Sequence, residues 1–369
     1  LFSRNSVTES LLNTATVAKI KSPSIIIKNL VLFKYRKSKN SYIETTKRNH
    51  YSMTQTIPQV DLQQFLSQDP SDRNQFVSNL GSAFSDIGFV ALRGHYLTEE
   101  LVTELYDQIM AFFDLPESIK MKYHIAGLAG QRGYTPFGKE TAKGFTNADL
   151  KEFWHFGQDL SPEDNKVFQY PANVIVEELP DFNRVGKKAY EALEQTAIEV
   201  LKAIAIFLDL EPNYFQSFVE KGNSILRPIH YPPLKEAPKQ AVRAAAHGDI
   251  NLITLLMGAQ GSGLQVQNRS GEWIAANAQE GELMINMGDM MARLTNNRLK
   301  STIHRVVNPP KALWVKSRYS IPFFMHPMAQ MSLDCLSNCV NAQNPLEFEP
   351  ITAGAFLHER LIELGLLKD

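Results

Sequence analysis

Between Ile225 and Phe324 the chain is written as short apolar runs separated by turn residues. The runs are Ile225 to Tyr231, Asn251 to Leu256, Leu264 to Gln267, Glu272 to Ile274, Glu282 to Met287, Thr302 to Val307 and Tyr319 to Phe324. Asn268-Arg269-Ser270-Gly271, Gly288-Asp289 and Asn296-Asn297 supply turn chemistry between them. Asn308-Pro309-Pro310 ends a strand, because proline has no amide hydrogen to donate. Seven such strands in about 100 residues predict a sandwich or barrel, the forms in which many short strands share one core.

Upstream the period changes. A short Val60-Asp61-Leu62 entry leads to Phe76, Val77, Leu80, Ala83 and Phe84 at helical spacing. Gly88 breaks that period, Phe89 to Leu92 reads as a buried strand, and Thr98 caps a helix carrying Leu101, Val102, Leu105, Ile109, Phe112 and Phe113. The glycine-rich stretch from Gly127 to Gly144, with Gln131-Arg132-Gly133-Tyr134, reads as a structured loop. Asp181 to Leu208 gives the strongest helical stripe, and Thr352 to Leu367 returns to helix.

Composition excludes some functions. With 38 basic and 39 acidic residues the net charge of -1 provides no global field for nucleic acid or an anionic membrane, so partners must be argued from sites. No apolar run approaches the roughly 18 to 20 residues that span a bilayer. Two cysteines, Cys335 and Cys339, argue against a disulfide scaffold or a structural zinc site and for a reducing, cytoplasmic compartment. Residues 1-52 differ in kind, with ten Lys or Arg against Glu9 and Glu44. They read as a disordered or non-native extension ahead of Met53, with an organelle transit peptide as the alternative.

The chemistry-bearing residues sit among the strands. His247-Gly248-Asp249 precedes an apolar strand, and in extended chain residues two apart point to one side. Alone this pattern carries little, since at average usage roughly one His in twenty is followed two positions later by Asp. His304, 55 positions beyond Asp249, adds a second imidazole from another strand. Two imidazoles and a carboxylate leave positions open on a non-haem Fe(II) that must bind cosubstrate and O2. Arg318 and Ser320 alternate on one strand face, and a guanidinium with a hydroxyl is what a buried carboxylate requires.

Together with Thr254-Leu255-Leu256, Tyr231-Pro232-Pro233, Gly263-Leu264-Gln265-Val266 and Asn286-Met287-Gly288-Asp289, these motifs resemble the isopenicillin N synthase-like 2-oxoglutarate and Fe(II)-dependent oxygenases. The resemblance covers roughly Ile57 to Pro327. It implies a mixed α and β fold: a double-stranded β-helix (jelly roll) core with flanking helices and an N-terminal α/β region. The implied division is 53-221 for the N-terminal region, 222-328 for the core and 329-369 for a helical C-terminal segment. The implied activity is oxidation of a C–H bond of a small-molecule substrate, with 2-oxoglutarate converted to succinate and CO2. Arg318, Ser320 and Tyr231 would take the distal carboxylate of the keto acid. An oxidase using the same triad without 2-oxoglutarate and an inactive binding protein are the competing readings.

Arg132, Tyr134 and Arg227 are candidate substrate contacts, as are Lys151-Glu152 and Trp154-His155, either directly or as a lid. His230 stands where plant members of the family often carry Asn and reads as outward or structural. Asn286 and Asp289 read as serving the turn between strands.

Overall fold

Strand pairing sorts these residues onto two faces of a sandwich. The computed structural model describes residues 56–128, 130–139, 149–234, 243–257 and 263–363, so the expected extension over residues 1-52 lies outside the described residues. The strands are β1 (Gln59–Asp61), β2 (Phe89–Arg93), β3 (Gly133–Thr135), β4 (Glu152–Gly157), β5 (Ile225–Leu226), β6 (Ile229–Tyr231) and β7 (Ala244–His247). They continue as β8 (Ile253–Met257), β9 (Leu264–Gln267), β10 (Trp273–Ala275), β11 (Leu283–Met287), β12 (His304–Val306) and β13 (Arg318–Met325). The large sheet runs β1-β2-β11-β8-β13-β5-β4-β3, with β6 paired to both β13 and β4. The small sheet runs β10-β9-β12-β7. All pairs are antiparallel except β1 with β2.

Alternation decides what each face does. On the large sheet Leu255, Met257, Ile285, Met287, Ile321 and Phe323 pack into one core with the helices. Phe89, Ala91 and Met284 point the other way and meet Ala244, Leu264, Val266 and Val306 of the small sheet. The register pairs Asn286 with Thr254 and Thr254 with Phe324, so these three side chains belong to the face between the sheets. Arg318, Ser320 and Pro322 share that parity on β13.

The helix Pro180–Phe207 backs the large sheet. Proline at its first turn costs no hydrogen bond there, and its buried stripe is Val185, Ala189, Leu193, Ala197, Leu201 and Ile204. Gly186 lets the Phe156 ring approach: a Cβ there would lie 2.3 Å from the ring. Asp69 and Thr98 cap the helices Pro70–Asp86 and Glu99–Phe113 by accepting from Ser71 N–H and Leu101 N–H. Gly88 leaves the first of these with φ +71°.

Several expectations are corrected. The run Ile225 to Tyr231 is two strands, interrupted at Arg227-Pro228, where proline cannot continue the ladder. Gly88 and Phe89 to Leu92 behave as expected, but the glycine-rich loop contains β3, whose Tyr134 pairs with Trp154. β7 is a strand that the sequence reading did not anticipate, since Ala244, Ala245 and Ala246 carry weak strand propensity. Gly288-Asp289 is no hairpin turn: Gly288 caps the helix Asp289–Leu294. The C-terminal helix spans Ala353–Glu363, and residues 364–369 lie outside the described residues. Cys335 and Cys339 are free thiols, the second in a 3-10 turn. Among the described residues, no helix is long and apolar enough to cross a membrane.

Candidate metal and cosubstrate site

Antiparallel pairing of β7 with β12 places His304 directly opposite His247, their ring centroids 4.5 Å apart. Asp249 follows in the connection to β8. Its Oδ1 lies 3.9 Å from His247 Nε2 and 3.7 Å from His304 Nε2. One ligand atom from each residue falls within 4.8 Å of the others. Gly248 between them is tightly enclosed, for a Cβ there would sit 3.2 Å from both Asp289 Oδ1 and Ser301 Oγ.

The protons are arranged for a cation. His247 Nδ1 lies 2.7 Å from Ala245 O and His304 Nδ1 lies 3.1 Å from Thr302 O. A carbonyl only accepts, so each Nδ1 carries the donated hydrogen and each Nε2 presents a lone pair toward Asp249. Burial, then the adjacent His304, hold the His247 imidazole below its usual range against the pull of Asp249. With 42% of that side chain exposed, the neighbouring ring is the firmer of the two causes.

Asp249 has its two oxygens divided between tasks. Oδ1 faces the imidazoles, while Oδ2 accepts from Thr254 Oγ1 at 2.6 Å and from Asn286 Nδ2 at 2.8 Å. Burial would raise this carboxyl, but His304, His247 and the two hydrogen bonds outweigh it and hold it below the ordinary carboxylate range. Asn286 is thus a strand residue that fixes Asp249, not a turn residue. Asp289 also departs from the turn reading. Its amide donates to Asp249 O at 2.7 Å and its carboxylate accepts from Ser301 Oγ. Two neutral imidazole nitrogens and an ionised, immobilised carboxylate suit a divalent iron.

A second polar centre lies on β13 and β6. Arg318 is in register with Tyr231, its Cζ 5.0 Å from that ring, and Ser320 is in register with Ile229. Arg318 and Ser320 are both buried, and Arg318 Nε and Nη1 have no hydrogen-bond partner among the described residues. An unpaired buried guanidinium is costly unless an anion meets it.

The remaining candidates divide by strand parity. Arg227 lies over the Phe153 ring (4.6 Å) and the Phe324 ring (5.1 Å) and donates from Nε to His155 Nε2. It faces the space between the sheets. Arg132 and Tyr134 do not, and here the expectation of substrate contact is corrected. Arg132 packs against Gly157, bonds Asn223 Oδ1 at 3.2 Å and is 1% exposed. Tyr134 donates to Glu152 within a buried cluster that includes Lys120, 2.8 Å from Glu152. Trp154 shares that side and packs on Phe112 and Phe182, whereas Lys151 bonds Asp149 at 2.9 Å.

Of the two readings for His230, outward or structural, the geometry agrees with the structural one: it is buried. Its ring nitrogens meet Glu152 Oε1 at 2.7 Å and Ser317 Oγ at 2.9 Å, and it stacks on Tyr319. The sequence reading missed His326, at the end of β13. Burial depresses this imidazole to about 4, with Asp249 opposing the shift and Arg227 adding to it. No local motif marks it.

Comparison with known proteins agrees with this geometry. Residues 57–178 match the N-terminal region described for a non-haem dioxygenase in morphine synthesis, and residues 222–327 match the 2OG-Fe(II) oxygenase superfamily. A 2-oxoglutarate-Fe(II) type oxidoreductase of Emericella nidulans, hxnY, is 31% identical over 313 residues, covering 81% of this chain and 88% of its own. A solved chain from Caulobacter crescentus, assigned to the 2OG-Fe(II) oxygenase family, is 44% identical with a TM-score of 0.76, covering 84% of this chain and 99% of that one. A full-length Neurospora crassa protein, solved in complex with alpha-KG, is 30% identical with a TM-score of 0.74 over 83% of this chain and 95% of its own. The same Neurospora crassa protein has also been solved with alpha-KG and thymine. The two sheets are accordingly those of a double-stranded β-helix core. The chain belongs to the 2-oxoglutarate and Fe(II)-dependent oxygenases, with iron(II) as its metal and 2-oxoglutarate as its cosubstrate.

Proposed function

We propose that His247, Asp249 and His304 hold the iron, that Arg318, Ser320 and Tyr231 take the distal carboxylate of 2-oxoglutarate, and that a small-molecule substrate lies toward Arg227. The observation that carries this reading is the convergence of two Nε2 lone pairs and one anchored carboxylate oxygen within 4.8 Å. When bound, the iron is where O2 is reduced as 2-oxoglutarate becomes succinate and CO2 and a substrate C–H bond is oxidised.

The chain's own residues orient that chemistry. Ala245 O and Thr302 O fix the two imidazoles in the ligating tautomer. Thr254 and Asn286 stop the Asp249 carboxylate from rotating. Arg318 gives the keto acid a buried cation at one end, so its keto and carboxylate oxygens are presented at the other. Phe153, Phe324 and Arg227 offer an amphipathic surface suited to a flat polar molecule. The thymine held by the Neurospora crassa protein is such a molecule, which supports this substrate class here.

We place the chain in the isopenicillin N synthase-like branch, with residues 222-328 as its catalytic core. The two free thiols support a reducing, cytoplasmic setting.

Anaerobic titration with Fe(II) and 2-oxoglutarate tests the assignment. A visible metal-to-ligand charge-transfer band is expected in the native chain and is expected to vanish in His247→Ala, Asp249→Ala and His304→Ala. A full-strength band in any of the three would mean that residue is not a ligand. Succinate release stimulated by nitrogen heterocycles over amino acids would support the substrate class.

A further inference from the structure

A second arginine approaches the same tyrosine ring as Arg318. Arg243, immediately before β7 on the opposite sheet, is 4% exposed, and its Cζ lies 5.7 Å from the Tyr231 ring that Arg318 approaches at 5.0 Å. Its Nε has no hydrogen-bond partner, and no ion pair reaches either Arg243 or Arg318 among the described residues. Burial and the nearby Arg318 both lower the Arg243 pKa. Tyr106, which also senses Arg318, is pushed up to about 12 by burial and so supplies no counter-charge.

We infer that Arg243 is a second guanidinium for the distal carboxylate of 2-oxoglutarate, so that cations from both sheets bracket that one group. This inference rests on the assignment of Arg318 to the same carboxylate. Two buried cations without an anion repel each other and lack their hydration. A carboxylate has about four lone-pair sites, enough for donors from Arg318, Arg243, Ser320 and the Tyr231 hydroxyl together. Tyr231 would then separate and orient the guanidiniums as well as donate. Such an arrangement favours keto acids that carry the distal charge, because only they compensate the two cations.

Calorimetry on the Mn(II)-loaded chain without O2 tests this by binding, not turnover. The ligands are 2-oxoglutarate and 2-oxobutanoate, a keto acid with no distal carboxylate. Arg243→Met is expected to weaken 2-oxoglutarate by about tenfold to a hundredfold and to leave 2-oxobutanoate within about twofold. Arg243→Lys, which keeps the charge and loses the fork, is expected to fall between and carries the test alone if the Met variant does not fold. Unchanged 2-oxoglutarate affinity in the folded variants, or equal weakening of both ligands, overturns the inference. Arg318→Met separates the two readings. If it weakens 2-oxoglutarate while the Arg243 variants do not, only the second guanidinium is wrong; if it has no effect, the anchor assignment has failed too.

Discussion

Asn286 offers a direct measure of how far hydrogen bonding behind a ligand controls metal affinity. Asn286→Leu removes the amide that donates to Asp249 Oδ2 at 2.8 Å and leaves Thr254 Oγ1 as that oxygen's one side-chain donor among the described residues. Leucine keeps the same branched side-chain skeleton, and Asn286 lies on the strand face that also carries Met284 in the apolar layer between the sheets. A hydrogen bond to a buried charged group contributes about 1.5–3 kcal/mol. In the proposed site Oδ1 is the ligating oxygen, so loss of a ligand atom is not the effect expected. What is lost is the restraint on the carboxylate plane and part of what keeps Asp249 ionised. Both act on metal binding, and together they predict a dissociation constant about 10- to 100-fold weaker, or about 1.4–2.7 kcal/mol. The assay is anaerobic calorimetric titration of Mn(II) into metal-free protein, with a urea midpoint to show that the variant folds. Thr254→Val should give a comparable loss, and the double variant should lose more than the sum, since either donor alone still limits rotation. A natively folded Asn286→Leu chain with unchanged Mn(II) affinity would refute the reasoning.

Glu194, on the helix Pro180–Phe207, is raised from the usual 4.5 to about 7 by burial, with Glu191 and Glu220 adding to the rise and Gln158 opposing it. Because the folded state favours the protonated carboxyl, this group's stability is fully present below about pH 4.5 and is lost as pH rises through 7, by at most about 3 kcal/mol. Glu194→Gln should therefore stabilise the chain at pH 8 and change little at pH 4.5; equal denaturation midpoints at pH 8 would contradict the assignment. Gly222→Ala would set a Cβ 2.0 Å from the His326 carbonyl oxygen, and urea denaturation should show a loss of about 2 kcal/mol or more. A native midpoint there would mean that β13 can shift at little cost beside the site.

How legible the site was in the sequence depends on whether a residue's role is local. His247 and Asp249 could be read together because extended chain puts positions two apart on one side, and His304 because it adds a second imidazole on another strand that a sandwich can bring back. Arg318 and Ser320 share the same parity argument. That logic also explains the errors. Parity across paired strands sends Tyr134 to the helix side through its partner Trp154, a pairing that cannot be read from one strand alone. Asn286 looked like a turn residue because glycine follows two positions later, yet its meaning comes from Thr254 across the ladder. Arg243 had no such clue, being a lone arginine ahead of an alanine run whose strand character was itself missed. Its significance lies in Tyr231 and Arg318, which β6 and β13 bring to it from the facing sheet. The sequence therefore exposes ligands whose chemistry is unusual and whose spacing is short. It conceals groups whose chemistry is common and whose partners arrive only when the two sheets close on each other.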